Sequence, residues 1–267
     1  MRCLMILLVF WVLIGISNAE EGDLTYKLKE GETFIYQLTT KGETAEGGYG
    51  EDESEWKKSN PPERTEEFSI QVMNVDEKAD GRKICTIRFE VTGNKADLEK
   101  EIFDIRMTLK GLFIFKDDEE REKFVRIESI WRSLYAGLTF PRLSTEKVEE
   151  GKEFESPDLI NAYDRDYNLT FSENNICVDK LKVSRVKKDA NLLLLEGTKK
   201  SEFEKYNTRF KYDMKKSYVF DVEKGLITSG SFSMKIEAIS LVKNFRPASG
   251  YGTYQVKLIS MNGKKME

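Results

Sequence analysis

The chain contains no histidine, so any chemistry its side chains do must proceed without imidazole. A Ser-His-Asp or Cys-His nucleophile, an imidazole metal site and an imidazole pH switch are all excluded. Paired carboxylates can work on a glycan without histidine, and Asp164-Arg165-Asp166 and Asp117-Asp118-Glu119-Glu120 are the densest candidates. Neither has a sequence context that sets two carboxylates opposite each other across a cleft. Acids are abundant throughout the chain, so both runs read as solvated faces. Nor do they match the spaced Asp/Asn ligands and glycine of a calcium loop. The sequence therefore predicts no catalytic residue, no metal ligand and no cofactor. A carboxylate-only enzyme acting on glycans stays as an alternative.

The thiols depend on the compartment, and the N-terminus speaks to that. Met1-Arg2, the apolar run Leu4–Ile16 and Ser17-Asn18-Ala19 followed by Glu20-Glu21 match a basic start, a short apolar core and a small-residue cleavage site. Residues 1–19 read as a secretory signal peptide cut between Ala19 and Glu20. The apolar run is shorter than the roughly 20 residues that a spanning helix needs. Cys3 leaves with it, and Cys85 and Cys177 remain in an exported compartment, periplasmic or extracellular, where a disulfide can persist. A Cys85–Cys177 bridge is possible; two separate buried thiols are the alternative. No later stretch is apolar enough to span a bilayer, so the mature chain is expected to have no transmembrane span. The near balance of 43 basic and 47 acidic residues gives no basic stripe for nucleic acid.

The elements that would position any site are strands. Apolar and polar residues alternate at period two through Phe34-Tyr36-Leu38, Phe68-Ile70-Val72, Ile87-Phe89-Val91 and Phe103-Ile105-Met107-Leu109. The habit continues through Tyr167-Leu169-Phe171, Phe210-Tyr212-Met214, Tyr218-Phe220-Val222, Phe232-Met234-Ile236 and Tyr254-Val256-Leu258. Polar breaks at Asp76–Gly81, Lys187–Asn191 and Glu223–Gly225 separate the runs at hairpin spacing, which predicts antiparallel meanders.

Two segments depart from this habit. Ile127, Ile130, Trp131, Leu134 and Leu138 fall on one helical stripe, predicting an amphipathic helix over about 118–137 that starts behind acidic residues and stops before Pro141. Lys41–Glu66, rich in Gly, Glu, Ser and Pro, reads as a long mobile loop with Tyr49 and Trp56 as possible contact residues.

Three echoes recur in order. Glu30-Gly31-Glu32-Thr33-Phe34 matches Glu150-Gly151-Lys152-Glu153-Phe154, and Val72-Met73-Asn74-Val75 matches Val183-Ser184-Arg185-Val186. Phe103-Asp104-Ile105 with Lys110-Gly111-Leu112 matches Phe220-Asp221-Val222 with Lys224-Gly225-Leu226. The fold expected is mainly β: two similar antiparallel β-meander units, half-barrel-like, joined by one amphipathic helix. The first covers 20–137, with loop 41–66 and the helix; the second covers 138–267, with a boundary near Gly137–Arg142.

A Glu-Gly turn opening each half, Phe220-Asp221-Val222-Glu223-Lys224-Gly225-Leu226 leading a late strand, and the signal peptide resemble a family of exported bacterial β-rich proteins with a duplicated meander and no established activity. Members carry lines such as Lys-x-Gly-Asp-x-Trp and Phe-Asp-x-x-x-Gly. This chain departs from them in having Phe154 where a Trp is common, and in the Lys41–Glu66 insertion. The resemblance implies fold and compartment only. The function expected is a non-enzymatic binding or scaffold protein of the cell envelope, its partner unidentified. One alternative is a carrier of a hydrophobic ligand such as a lipid, with Leu192–Leu195 or Leu112–Phe115 as lining.

Overall fold

The computed structural model describes residues 23–47, 55–92, 101–117, 119–120, 130–156, 180–186, 189–205, 208–240 and 247–266. The described residues are mainly β, one open antiparallel sheet of 12 strands carrying a short helix. The strands are β1 (Thr33–Glu46), β2 (Lys57–Ser59), β3 (Arg64–Glu77), β4 (Lys83–Thr92), β5 (Glu101–Thr108) and β6 (Glu153–Glu155). They continue with β7 (Lys180–Val186), β8 (Asp189–Lys205), β9 (Thr208–Asp221), β10 (Leu226–Ser240), β11 (Ala248–Met261) and β12 (Lys264–Lys265). Helix α1 spans Ile130–Thr139.

Sheet order is β5-β4-β3-β1-β11-β10-β9-β8-β7-β6, with β2 on β1 and β12 on β11. Two meanders are thus present, β1 to β5 and β6 to β11. They are not separate bodies: β1 and β11 pair antiparallel from Phe34↔Met261 to Glu46↔Ala248, making one continuous sheet. A strand buried on one face and wet on the other is what the alternation dictates. Phe34, Tyr36 and Leu38 of β1 are buried while Ile35, Gln37 and Thr39 are not. We call the buried side the inner face.

The Lys41–Glu66 loop needs correction. Its first residues extend β1 to Glu46, residues 57–59 form β2, and β3 begins at Arg64. Low hydrophobicity misled the reading, because this end of β1 is stabilised by the β11 ladder and not by burial. Asn60-Pro61-Pro62 explains why β2 and β3, which both pair with β1, are not one strand: proline has no N–H for a ladder. Trp56 packs on Gly47, where an added Cβ would fall 2.3 Å from Nε1. Tyr49 lies outside the described residues.

The described helix α1, Ile130–Thr139, holds the last part of the predicted stripe, and residues 119–120 are helical as well. Asp117 Oδ1 accepts the Glu120 N–H at 2.8 Å, the bond of an N-cap. Of the stripe, Leu134 and Leu138 are buried; the side chains at 127, 130 and 131 lie outside the described residues, as does the expected strand at 167–171. The helix stops at Thr139, before Pro141, as expected.

The echoed segments share hydrogen bonds. Gly31 N–H donates to Val72 O at 2.9 Å and Val72 N–H to Glu32 O at 2.9 Å; Gly151 N–H donates to Val183 O at 2.8 Å and Val183 N–H to Lys152 O at 3.0 Å. Both glycines have positive φ, 81° and 85°. The chain entering each turn crosses to the other half. Lys27 N–H, before the Gly31 turn, donates to Gly225 O at 3.1 Å, and Leu143 N–H, before the Gly151 turn, donates to Lys110 O at 2.8 Å. Tyr26 links the two crossings, its hydroxyl donating to Pro141 O at 2.8 Å. Contact is so close that a Cβ on Gly225 would fall 2.6 Å from Lys27 N, and one on Gly111 2.6 Å from Pro141 O.

Candidate functional site

The inner face divides where α1 ends. Over the first meander it is covered. Arg132 Nε donates to Glu101 of β5 at 2.6 Å, Tyr135 hydrogen-bonds Glu66 of β3 through its hydroxyl, and its ring meets Phe68 edge-on at 4.8 Å. Beneath lies a row of rings, Tyr36, Phe68, Phe89 and Phe103, with successive centroids 5.7, 6.2 and 4.9 Å apart. The helix ends over β10 at Gly230, where a Cβ would stand 3.0 Å from Leu138 O. Tyr218 OH donates to Gly137 O at 3.3 Å and Tyr36 OH to Ile227 O at 2.7 Å. Burial holds the Tyr36 phenol protonated well above its ordinary range. The Tyr26 phenol is raised likewise, by burial first and then by Tyr36 and Tyr218.

Beyond Gly230 the apolar alternation continues. Register puts Phe232 between Tyr254 and Lys216, Met234 between Gly252 and Met214, Ile236 between Gly250 and Tyr212, and Ala238 between Ala248 and Phe210. Phe203 of β8 pairs with Phe210 of β9, their rings stacked at 5.2 Å. On the far side Gly252 pairs with Gly42 and Gly250 with Thr44. Three glycines therefore border a wall of Phe, Met, Ile and Tyr, with the buried Lys216 beside Phe232. Tyr212 and Met214 at its floor are buried, whereas Phe203, Phe210, Phe232, Met234, Ile236 and Tyr254 are half-buried. Burial raises the Tyr212 phenol to about 12.

The opposite, outer face of these strands is charged. Lys200 meets Asp213 at 3.2 Å, Arg209 meets Glu204 at 2.7 Å and Lys235 meets Glu237 at 2.6 Å. The contrast is between ion pairs in water on one side and, on the other, a largely apolar trough that also carries the buried Lys216 and the inward-facing Lys199. Such a trough offers dispersion and apolar contact, with the buried amine of Lys216 at its near end.

The other residues singled out in the sequence are not brought together here. Cys85 is a buried free thiol in β4, facing the core, its pKa pushed up to about 11 by burial and then by the Asp76 carboxylate. Cys177 lies outside the described residues, as do the signal segment with Ala19 and Glu20, and Asp164–Asp166. Asp117 and Glu120 serve the local turn: Asp117 caps Glu120, and Glu120 takes the Lys116 N–H. Among the described residues no cluster of acids and thiols is placed to hold a metal ion, and no helix is long and apolar enough to cross a membrane.

The two runs expected to line a ligand space do not line the trough. Leu193 and Leu195 are buried core residues of β8, and Leu112–Ile114 return along the edge of β5. In the sequence the trough residues have the alternation of ordinary strand formers. The available signal was length, since alternation through Phe210 to Tyr218 is longer than one covered core layer needs.

No protein-family model matches the chain, and no curated protein matches it. Among solved structures it is similar to a chain described as "Lipid-protein interactions in lipovitellin", with a TM-score of 0.47 and 10% identity. The match covers 90% of this chain and 26% of that one, so the chain spans about a quarter of the length of the protein it resembles.

Proposed function

We propose that this chain is an exported, non-enzymatic binding protein that holds a hydrophobic ligand, such as a lipid acyl chain, in the inner-face trough of β8 to β11. The observation that supports it is the continuation of Phe232, Met234 and Ile236 past the end of α1, beside the glycines at 42, 250 and 252. Apolar surface left in water costs about 25 cal/mol per Å², and a contiguous apolar patch rimmed by polar residues commonly marks a binding surface. Glycine removes side chains where a ligand must lie close to the sheet.

Protein purified without detergent and extracted with organic solvent tests this. Lipid recovered in amounts comparable to the protein is expected. Recovery of none, together with no binding of a fluorescent fatty acid, would overturn the proposal. Export is tested separately by N-terminal sequencing of the mature chain, which should begin at Glu20.

A further inference from the structure

Among the described residues the edge strand β5 is closed over only part of its length. Thr108 N–H donates to Leu112 O at 2.9 Å, Met107 bridges Phe113, and Ile114 N–H donates to Arg106 O at 2.7 Å. The Leu112–Ile114 segment thus acts as a short antiparallel neighbour, and it uses the outward backbone groups of the even-numbered residues 106 and 108. Backbone groups alternate sides along a strand, so those of Ile102 and Asp104 point the same way. Among the described residues nothing pairs with them.

Ile102 is 50% exposed, more than any other large apolar side chain described. It lines a groove of about 690 Å³ together with Asp104, Phe115, Asp117 and Glu120. Its basic residues are Arg106, Lys116 and Arg132, of which Arg132 is paired with Glu101; its acidic ones are Asp104, held by Arg88, with Asp117, Glu119 and Glu120.

We infer that this groove binds a short extended peptide from a partner protein, one that alternates apolar and basic residues and adds to the sheet as a strand beside Ile102–Asp104. An unpaired edge supplies backbone affinity without regard to sequence, and the groove walls supply side-chain selection. The peptide lies in line with Leu112–Ile114. Its apolar residues cover Ile102 and its basic ones meet the acidic wall.

The probe is a fluorescein-labelled peptide of Val-Lys repeats, titrated against the full chain by anisotropy. Controls are the same peptide N-methylated at alternate residues and a Val-Glu peptide. Ile102→Pro removes an outward donor without touching the β4 ladder, so the fold is retained. Expected is saturable binding to the native chain, weakened at least about tenfold by Ile102→Pro, by N-methylation and by charge reversal. N-methylation alters only the probe, so it decides the matter even if the variant misfolds. Equal binding of the methylated probe, or no binding near 1 mM, overturns the inference. So does a concentration-dependent dimer that Ile102→Pro abolishes, since the occupant would then be a second copy of the chain.

Discussion

The inner faces of the two meanders have similar patterning and different surroundings. In the first, Phe68, Phe89 and Phe103 stack in a row, with Tyr135 and Phe140 against them. In the second, Leu181, Leu195, Tyr218 and Phe220 are buried likewise, but past Gly230 the same alternation continues through Phe232, Met234 and Ile236, which are half-buried, the last two opposite Gly252 and Gly250. Alternation alone reports which face is apolar; it does not report what covers that face. Where a helix of the chain covers it, the apolar residues stabilise the fold. Where none of the described helix does, they form the face to which the proposed ligand is assigned.

Substitution should separate the two regions. Phe68→Ala, in the covered row, is expected to destabilise by about 3–5 kcal/mol. Phe232→Ala, in the trough, should cost about 1 kcal/mol, since less area is buried there. Denaturant titration of both variants measures the difference. Equal losses would show that the face beyond Gly230 is core like the covered row.

The glycine turns sharpen the point that the halves are fastened to each other. Gly225→Ala combines positive φ with a Cβ that meets the Lys27 backbone, and should cost about 3 kcal/mol or more. Gly31→Ala has the positive φ but open space, and should cost about 1–2 kcal/mol. Thermal melts of the pair would give the order.

Alkaline pH acts mainly through the covered core. Burial raises the Cys85 thiol from 9.0 to about 11. Because the folded value lies above the unfolded one, its stabilisation is complete below pH 9 and is lost as pH rises through 11. The expected loss is about 2–3 kcal/mol, and Cys85→Ala should flatten that part of the stability–pH curve. Thiol reagents should leave Cys85 unmodified until the chain unfolds.

The smallest effect belongs to the surface tether of the first described residues. Lys110 donates to both Asp23 and Leu24 O, and its hydrogen bond is the main cause of the lowered Asp23 pKa. Asp23 is exposed, so solvent screens the pair, and Asp23→Asn should cost well under about 1 kcal/mol. The lowered pKa makes that small contribution present above the unfolded carboxylate value and lost in acid.

Much of this architecture was legible in the residues. Period-two alternation found the strands, and the Glu30-Gly31 and Glu150-Gly151 echo found two turns with matching hydrogen bonds. Pairing of β1 with β11 was not legible, because it joins residues more than 200 positions apart and depends on no local signal. The extension of β1 through Lys41–Glu46 was missed for the same reason: a ladder supplied by a distant strand overrides a polar composition. The trough was hidden because its residues have the same types and spacing as core residues. Only the end of α1 at Gly230 divides them.

The central claim is that the inner face beyond Gly230 holds a hydrophobic ligand, and titration with a fluorescent fatty acid tests it most directly. The native chain is predicted to bind saturably, and Met234→Lys to weaken binding at least about tenfold while its melting temperature stays near that of the native chain. A native chain that binds no fatty acid, or a Met234→Lys chain that binds as well as the native one, would contradict it.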